Sequence, residues 1–137
     1  MSKAENVGQV FADFVIVGPK GRGSLRLLVD TGSTYTWIRA SLLEQLGIAP
    51  MRRRAFRTIT GDRVHRSLGE ALIEFRGERA RITIVHGGKR HAEVFGLTAL
   101  ETLGLEVDPI GHRLKRSESL LALGAESRAA AGIPSDD

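Results

Sequence analysis

The sequence predicts an all-β domain carrying one or two short helices. Segments rich in Val, Ile, Leu and Phe recur along the chain, separated by clusters of Gly, Pro and Asp. Two short segments carry helix start and stop signals. Those two segments also match each other. The pattern hydroxyl, any residue, Leu, Glu, any residue, Leu, Gly, aliphatic describes residues 41–48 and 98–105, an offset of 98 − 41 = 57. Such an offset indicates two related halves.

Residues 7–17 read as a strand ending at Gly18-Pro19-Lys20-Gly21-Arg22-Gly23, a turn cluster. Residues 25–29 read as a second strand, whose apolar character suggests burial on both faces. The two form a hairpin that delivers the chain to Asp30. In residues 41–47, Ser41 stands at the N-cap with Glu44 three positions on, a capping box. Gly47 takes the left-handed position after the helix. Residues 57–75 read as a long hairpin around Thr60-Gly61-Asp62-Arg63, and residues 79–85 as a strand before the turn His86-Gly87-Gly88-Lys89. Thr98 and Glu101 form a second capping box. Asp108-Pro109-Ile110-Gly111 reads as a turn and Arg113-Leu114 as the start of a last strand. The expected organisation is a flexible N-terminus over residues 1–6, one domain over 7–115, and a tail over 116–137 whose small, polar latter part is disordered.

Composition narrows the function classes. The 137 residues suffice for one modest core. Without cysteine the chain has no disulfide and no thiolate metal site. No apolar run approaches the ~20 residues that span a bilayer, and the N-terminus shows no apolar signal region. A cytoplasmic protein with no membrane partner is expected. The net charge is +4, and Arg52, Arg53, Arg54 and Arg57 cluster. That cluster is expected to be a solvated edge strand rather than a nucleic-acid surface. His65, His86, His91 and His112 form no metal motif, and exposed structural histidines are expected. Gly21-Arg22-Gly23 has Arg26 where a dinucleotide loop needs its third glycine, so it reads as a turn. No cofactor and no metal are expected.

The chemistry concentrates at Leu27-Leu28-Val29-Asp30-Thr31-Gly32-Ser33-Thr34. An acidic residue straight after a buried strand is costly unless something uses it. Gly32 lets the backbone come close enough for amide N–H groups to bond the carboxylate. The hydroxyls of Thr31, Ser33 and Thr34 offer further donors. A carboxylate held in this way is fixed and tuned as a general acid or base must be.

Asp30-Thr31-Gly32-Ser33 after an apolar strand resembles the catalytic loop of retropepsin-like (clan AA) aspartic proteases. Val94-Phe95-Gly96 and the helix after it resemble the family's second motif. Residues 104–109 resemble the close of its bacterial and archaeal single-domain members. The resemblance covers roughly residues 7–115 and implies an acid-protease half-barrel with a flap hairpin, acting as a homodimer. It implies an aspartic endopeptidase in which Asp30 of each chain flanks one water. Thr31 would bond across the dimer axis, Gly32 would hold the carboxylate through its backbone, and Ser33 would donate to it from outside. Thr60, Gly61 and Asp62 match the flap tip. Val29, Trp37, Ile59 and Val64 are candidate walls of a substrate pocket, with cleavage expected between bulky apolar residues of a peptide or protein. No tyrosine stands at the flap tip, a departure from pepsin-like members. The chain holds one Asp-Thr-Gly and no other Asp-Ser/Thr-Gly, so a second copy is needed for a carboxylate pair. The alternative is a non-catalytic dimeric peptide-binding or scaffold module of the same fold, against which the intact Asp-Thr-Gly-Ser argues. Actin-like phosphate loops share Asp-x-Gly-Ser/Thr but require two large domains.

Overall fold

Val10–Gly18 (β1) and Gly21–Val29 (β2) form the first hairpin of the computed structural model, which describes residues 9–89 and 92–117. Gly18 pairs with Gly21 across Pro19-Lys20, so the turn is tighter than its six-residue cluster suggests. In β2, Leu25, Leu27 and Val29 are buried while Ser24 and Arg26 are exposed. The strand is therefore buried on one face, not on both as expected. Its outer face carries Arg26, which reaches Asp13 across the hairpin at 3.4 Å and lies over the Phe11 ring.

The chain continues through Thr36–Arg39 (β3) and Ala40–Gln45 (α1), then Arg52–Arg57 (β4), Arg63–Phe75 (β5) and Glu78–Gly87 (β6). Val94–Phe95 (β7), Leu97–Leu103 (α2), Leu105–Asp108 (β8) and Arg113–Arg116 (β9) follow. Seven strands form one sheet in the order β1-β2-β7-β3-β6-β5-β4, and β1 also pairs with β5. That second pairing closes six strands into a small barrel and leaves β4 as the free edge. β8 and β9 form a separate hairpin closed by the turn after Asp108. The amides of Gly111 and Ile110 bond the Asp108 carboxyl and hold it below the usual carboxylate range. The all-β expectation is met.

The barrel interior is filled from both halves. Phe14 stacks on Phe95 at 4.1 Å and meets Phe75 at 5.1 Å. Ile16, Leu27, Ile38, Ile73 and Ile84 are fully buried beside them. Each such side chain contributes about 1.5–3 kcal/mol by leaving water.

The internal repeat is real and has a geometry. β1 and β5 pair antiparallel through Ile16 and Ile73, and β3 and β7 through Trp37 and Val94. Both 73 − 16 and 94 − 37 equal 57, the offset of the two helix signatures. A local two-fold therefore relates β1-β2-β3-α1 to β5-β6-β7-α2. The parallel pairings β2–β7 and β3–β6 are one contact made twice.

The capping boxes do not form. α1 is capped by Arg39 and α2 by Gly96, neither through a side chain, so Ser41 and Thr98 lie inside their helices. In α2 the reason is tertiary: Leu97 and Thr98 donate their N–H groups to the carbonyls of Ser33 and Thr34. Donors already satisfied by a packed loop need no side-chain cap. The helix ends behave as expected, with Gly47 at φ +77° and its counterpart Gly104 at +70°. The expectations for residues 1–6 and for the disordered end of the tail lie outside the described residues. Among the described residues no helix is long and apolar enough to cross a membrane.

Candidate active site

Between β2 and β3 the chain turns through Asp30-Thr31-Gly32-Ser33. The Gly32 N–H donates to Asp30 Oδ1 at 2.9 Å, and the Ser33 N–H to the Asp30 carbonyl at 3.0 Å. The Asp30 N–H donates to the Phe95 carbonyl at 3.0 Å, anchoring the loop to β7. The start of α2 supports it from below. Leu97 N–H reaches the Ser33 carbonyl at 2.7 Å, and the Thr98 hydroxyl reaches the Thr34 carbonyl at 2.7 Å. Gly96 N–H donates to the hydroxyl of fully buried Thr36 at 2.9 Å.

Gly96 is where the two motifs touch. A Cβ there would lie 2.3 Å from the Tyr35 carbonyl oxygen and 2.8 Å from that of Ser33. The Asp30 loop thus rests directly on the backbone of Val94-Phe95-Gly96, and any side chain would lift it off.

Gly32 binds the carboxylate as expected. Ser33 does not: its hydroxyl donates to the Tyr35 carbonyl at 2.7 Å. A hydroxyl has one proton to give, so Ser33 braces the loop rather than the carboxylate. Thr31 is exposed beside Asp30. Val29, expected as a pocket wall, belongs to the core cluster, because the period-two alternation of β2 turns it inward.

The residues matched to a flap tip lie on a hairpin. β4 and the first half of β5 form a hairpin that leaves the barrel, with Thr58 to Asp62 at its tip. Thr58 ties the tip together: its N–H donates to the Asp62 carbonyl at 2.8 Å, and its hydroxyl accepts from the Asp62 N–H at 3.1 Å. Gly61 adopts φ +95° and Ile59 is fully exposed. Ile59, Thr60, Gly61 and Asp62 therefore form the tip and do not line the groove beneath it.

That groove, about 510 Å³, lies between the hairpin and the chain that follows Asp30. Ser33, Thr34, Tyr35 and Trp37 form one wall, and Arg54, Phe56, Thr58 and Val64 belong to the other. Trp37 and Val64, two of the candidate walls, both line the groove. Tyr35 and Arg54 are additions. Phe56 packs edge-on to Trp37 at 5.0 Å and to Tyr35 at 6.0 Å, so the walls meet through aromatic rings. The arginine cluster does occupy the edge strand, yet Arg54 and Arg57 belong to the groove as well, Arg57 donating to the Gly61 carbonyl.

Elsewhere, position 87, which the two-fold equates with Asp30, is glycine. The second half therefore supplies no carboxylate there. His86 is half-buried rather than exposed, its Nε2 has no hydrogen-bond partner, and burial lowers its pKa. His65 and His112 are exposed, and His91 lies outside the described residues.

A family model described as Aspartyl protease matches residues 15–83, just over half of the chain, running from β1 through the Asp30 loop and the β4–β5 hairpin into β6. No curated protein matches the chain.

Proposed function

The chain belongs to the aspartyl protease family, and from that premise we propose that it is an aspartic endopeptidase whose active site is completed by a second copy of itself. The observation that carries the proposal is the single Asp30 carboxylate, held by the Gly32 N–H at 2.9 Å, with glycine at its internal counterpart. One chain offers half of a carboxylate pair, and a two-fold dimer supplies the other half.

In the dimer the two Asp30 carboxyls flank one water. So close a pair shares a proton, as aspartic-protease dyads do. The charged carboxylate takes a proton from the water as its oxygen attacks the scissile carbonyl carbon. The protonated partner donates to the carbonyl oxygen. Collapse of the tetrahedral intermediate breaks the C–N bond, with a proton passing to the leaving amine. Thr31 bonds across the axis in this reading. The flap tip, Thr60-Gly61-Asp62, closes over the substrate and excludes water.

A mixed peptide library, incubated with the purified protein at acidic and neutral pH and read by mass spectrometry, tests the activity. Internal cleavage that Asp30→Asn abolishes is the expected result. Peptide binding without cleavage at any pH would make the chain a binding module instead.

A further inference from the structure

Arg54 sits one strand pair away from the positions that close the groove. On β4 and β5, Phe56 faces Val64 and Arg54 faces Arg66, and alternation along the strand puts Arg54 on the same side as Phe56. Its Nη1 donates to the Tyr35 hydroxyl at 3.1 Å, and its guanidinium carbon lies 5.7 Å from the Tyr35 ring centroid. Among the described residues no carboxylate pairs with it. A guanidinium has five N–H donors, so most remain for a ligand. The Tyr35 hydroxyl, accepting from Arg54, keeps its own proton to give. Together they make a two-armed donor, positively charged, on the wall of a groove that also holds the rings of Trp37 and Phe56, the hydroxyl residues Ser33, Thr34 and Thr58, and Arg57. Carboxylates match that shape and charge.

The charge around it has the same sign. Residues 52–66 carry six arginines against one carboxylate, Asp62, which accepts from Thr60 within the flap tip. Edge-strand protection accounts for the solvent-facing members. It does not account for Arg54, which is tied to Tyr35 across the groove.

We propose that Arg54 and Tyr35 form an acid-selective subsite, so that the preferred substrate carries a Glu or Asp side chain at one fixed position near the scissile bond. This deepens the protease reading and rests on it. The groove's rings take apolar side chains at neighbouring positions, and the basic flap draws acidic segments toward the site.

The test uses peptide pairs that differ by Glu against Gln, moved one position at a time across the cleavage site. At one position kcat/KM for Glu exceeds that for Gln by about tenfold, the lower end for a charge-assisted hydrogen bond. The preference is full above about pH 5.5 and fades as pH falls through the Glu pKa of about 4.3, because the neutral acid no longer pairs with the guanidinium. Arg54→Met brings the Glu/Gln ratio to about one, and Arg54→Glu inverts it. The same pairs are also titrated against the Asp30→Asn protein by fluorescence anisotropy, which needs no turnover. If wild type cleaves nothing, the protease reading fails, and the binding ratio still decides the subsite. Equal handling of Glu and Gln at every position, no binding of either peptide, or a preference that survives Arg54→Met overturns the proposal.

Discussion

Gly96→Ala is a substitution that ordinary backbone reasoning would allow. Gly96 has φ −91° and ψ 176°, extended values that alanine adopts freely. The obstacle is contact. The new Cβ would stand 2.3 Å from the Tyr35 carbonyl oxygen and 2.5 Å from its carbon, both backbone atoms that cannot rotate away. Ordinary carbon contacts begin near 3.5 Å, so the loop must retreat by about 1 Å. Overpacking of this kind costs about 1–3 kcal/mol. The retreat also strains the Gly96 N–H bond to Thr36 Oγ1 and the Leu97 N–H bond to Ser33. Losing one buried partner adds about 1–3 kcal/mol. At about 4 °C per kcal/mol the melting temperature should fall by about 10 °C or more. Because Asp30 moves with the loop, kcat/KM on any cleaved peptide should fall by about a hundredfold. Calorimetry and peptide kinetics measure both. Thr36→Val, which keeps the shape but orphans the Gly96 N–H, should give part of the stability loss, and Thr36→Ser little of it. A Gly96→Ala protein that melts within about 2 °C of wild type and turns over normally would refute the claim that this contact sets the loop.

Two further expectations concern other parts of the fold. Gly61→Val forces a β-branched residue into φ +95° at an exposed turn; kcat/KM should drop at least about tenfold while the melting temperature falls by less than about 5 °C, and proportional losses would make Gly61 merely structural. His86 has its pKa lowered by burial, so the folded state favours the neutral ring. Stability from that preference is complete above the unfolded value of about 6.5 and is lost as pH falls from there toward the folded value. Melting curves between about pH 5 and 8 should therefore slope more steeply for wild type than for His86→Gln, and equal slopes would contradict this.

The parts of the fold legible in sequence are those set by local chemistry. Asp30-Thr31-Gly32-Ser33 announces a carboxylate bound by backbone, and the Gly32 N–H does bind it. The glycine after α1 fixes its end, and the 57-residue offset reappears in the Ile16–Ile73 and Trp37–Val94 pairs. What the chain hides depends on partners distant in sequence. Ser41 and Thr98 look like caps, yet at α2 the carbonyls of Ser33 and Thr34 take the donors from 64 residues away. The motif suggests the Asp30 carboxylate as acceptor for the Ser33 hydroxyl, and the fold gives it the Tyr35 carbonyl instead. Val29 faces the core and Arg54 the groove for one reason. A strand residue's face follows from register, and one step of register exchanges core for groove. The period-two pattern of β2, with Arg26 as its outward marker, is the sequence signal that places Val29 inward.

The central claim is that cleavage needs Asp30 from two chains. Wild-type and Asp30→Asn subunits, co-refolded in varying ratios at constant total concentration, test it by cleavage rate. The account predicts that Asp30→Asn alone is inactive and that rate follows the square of the wild-type fraction, leaving about a quarter of the activity in an equal mixture. Activity that tracks the wild-type fraction linearly would place a complete site in one chain, and Asp30→Asn with wild-type turnover would remove Asp30 from the chemistry.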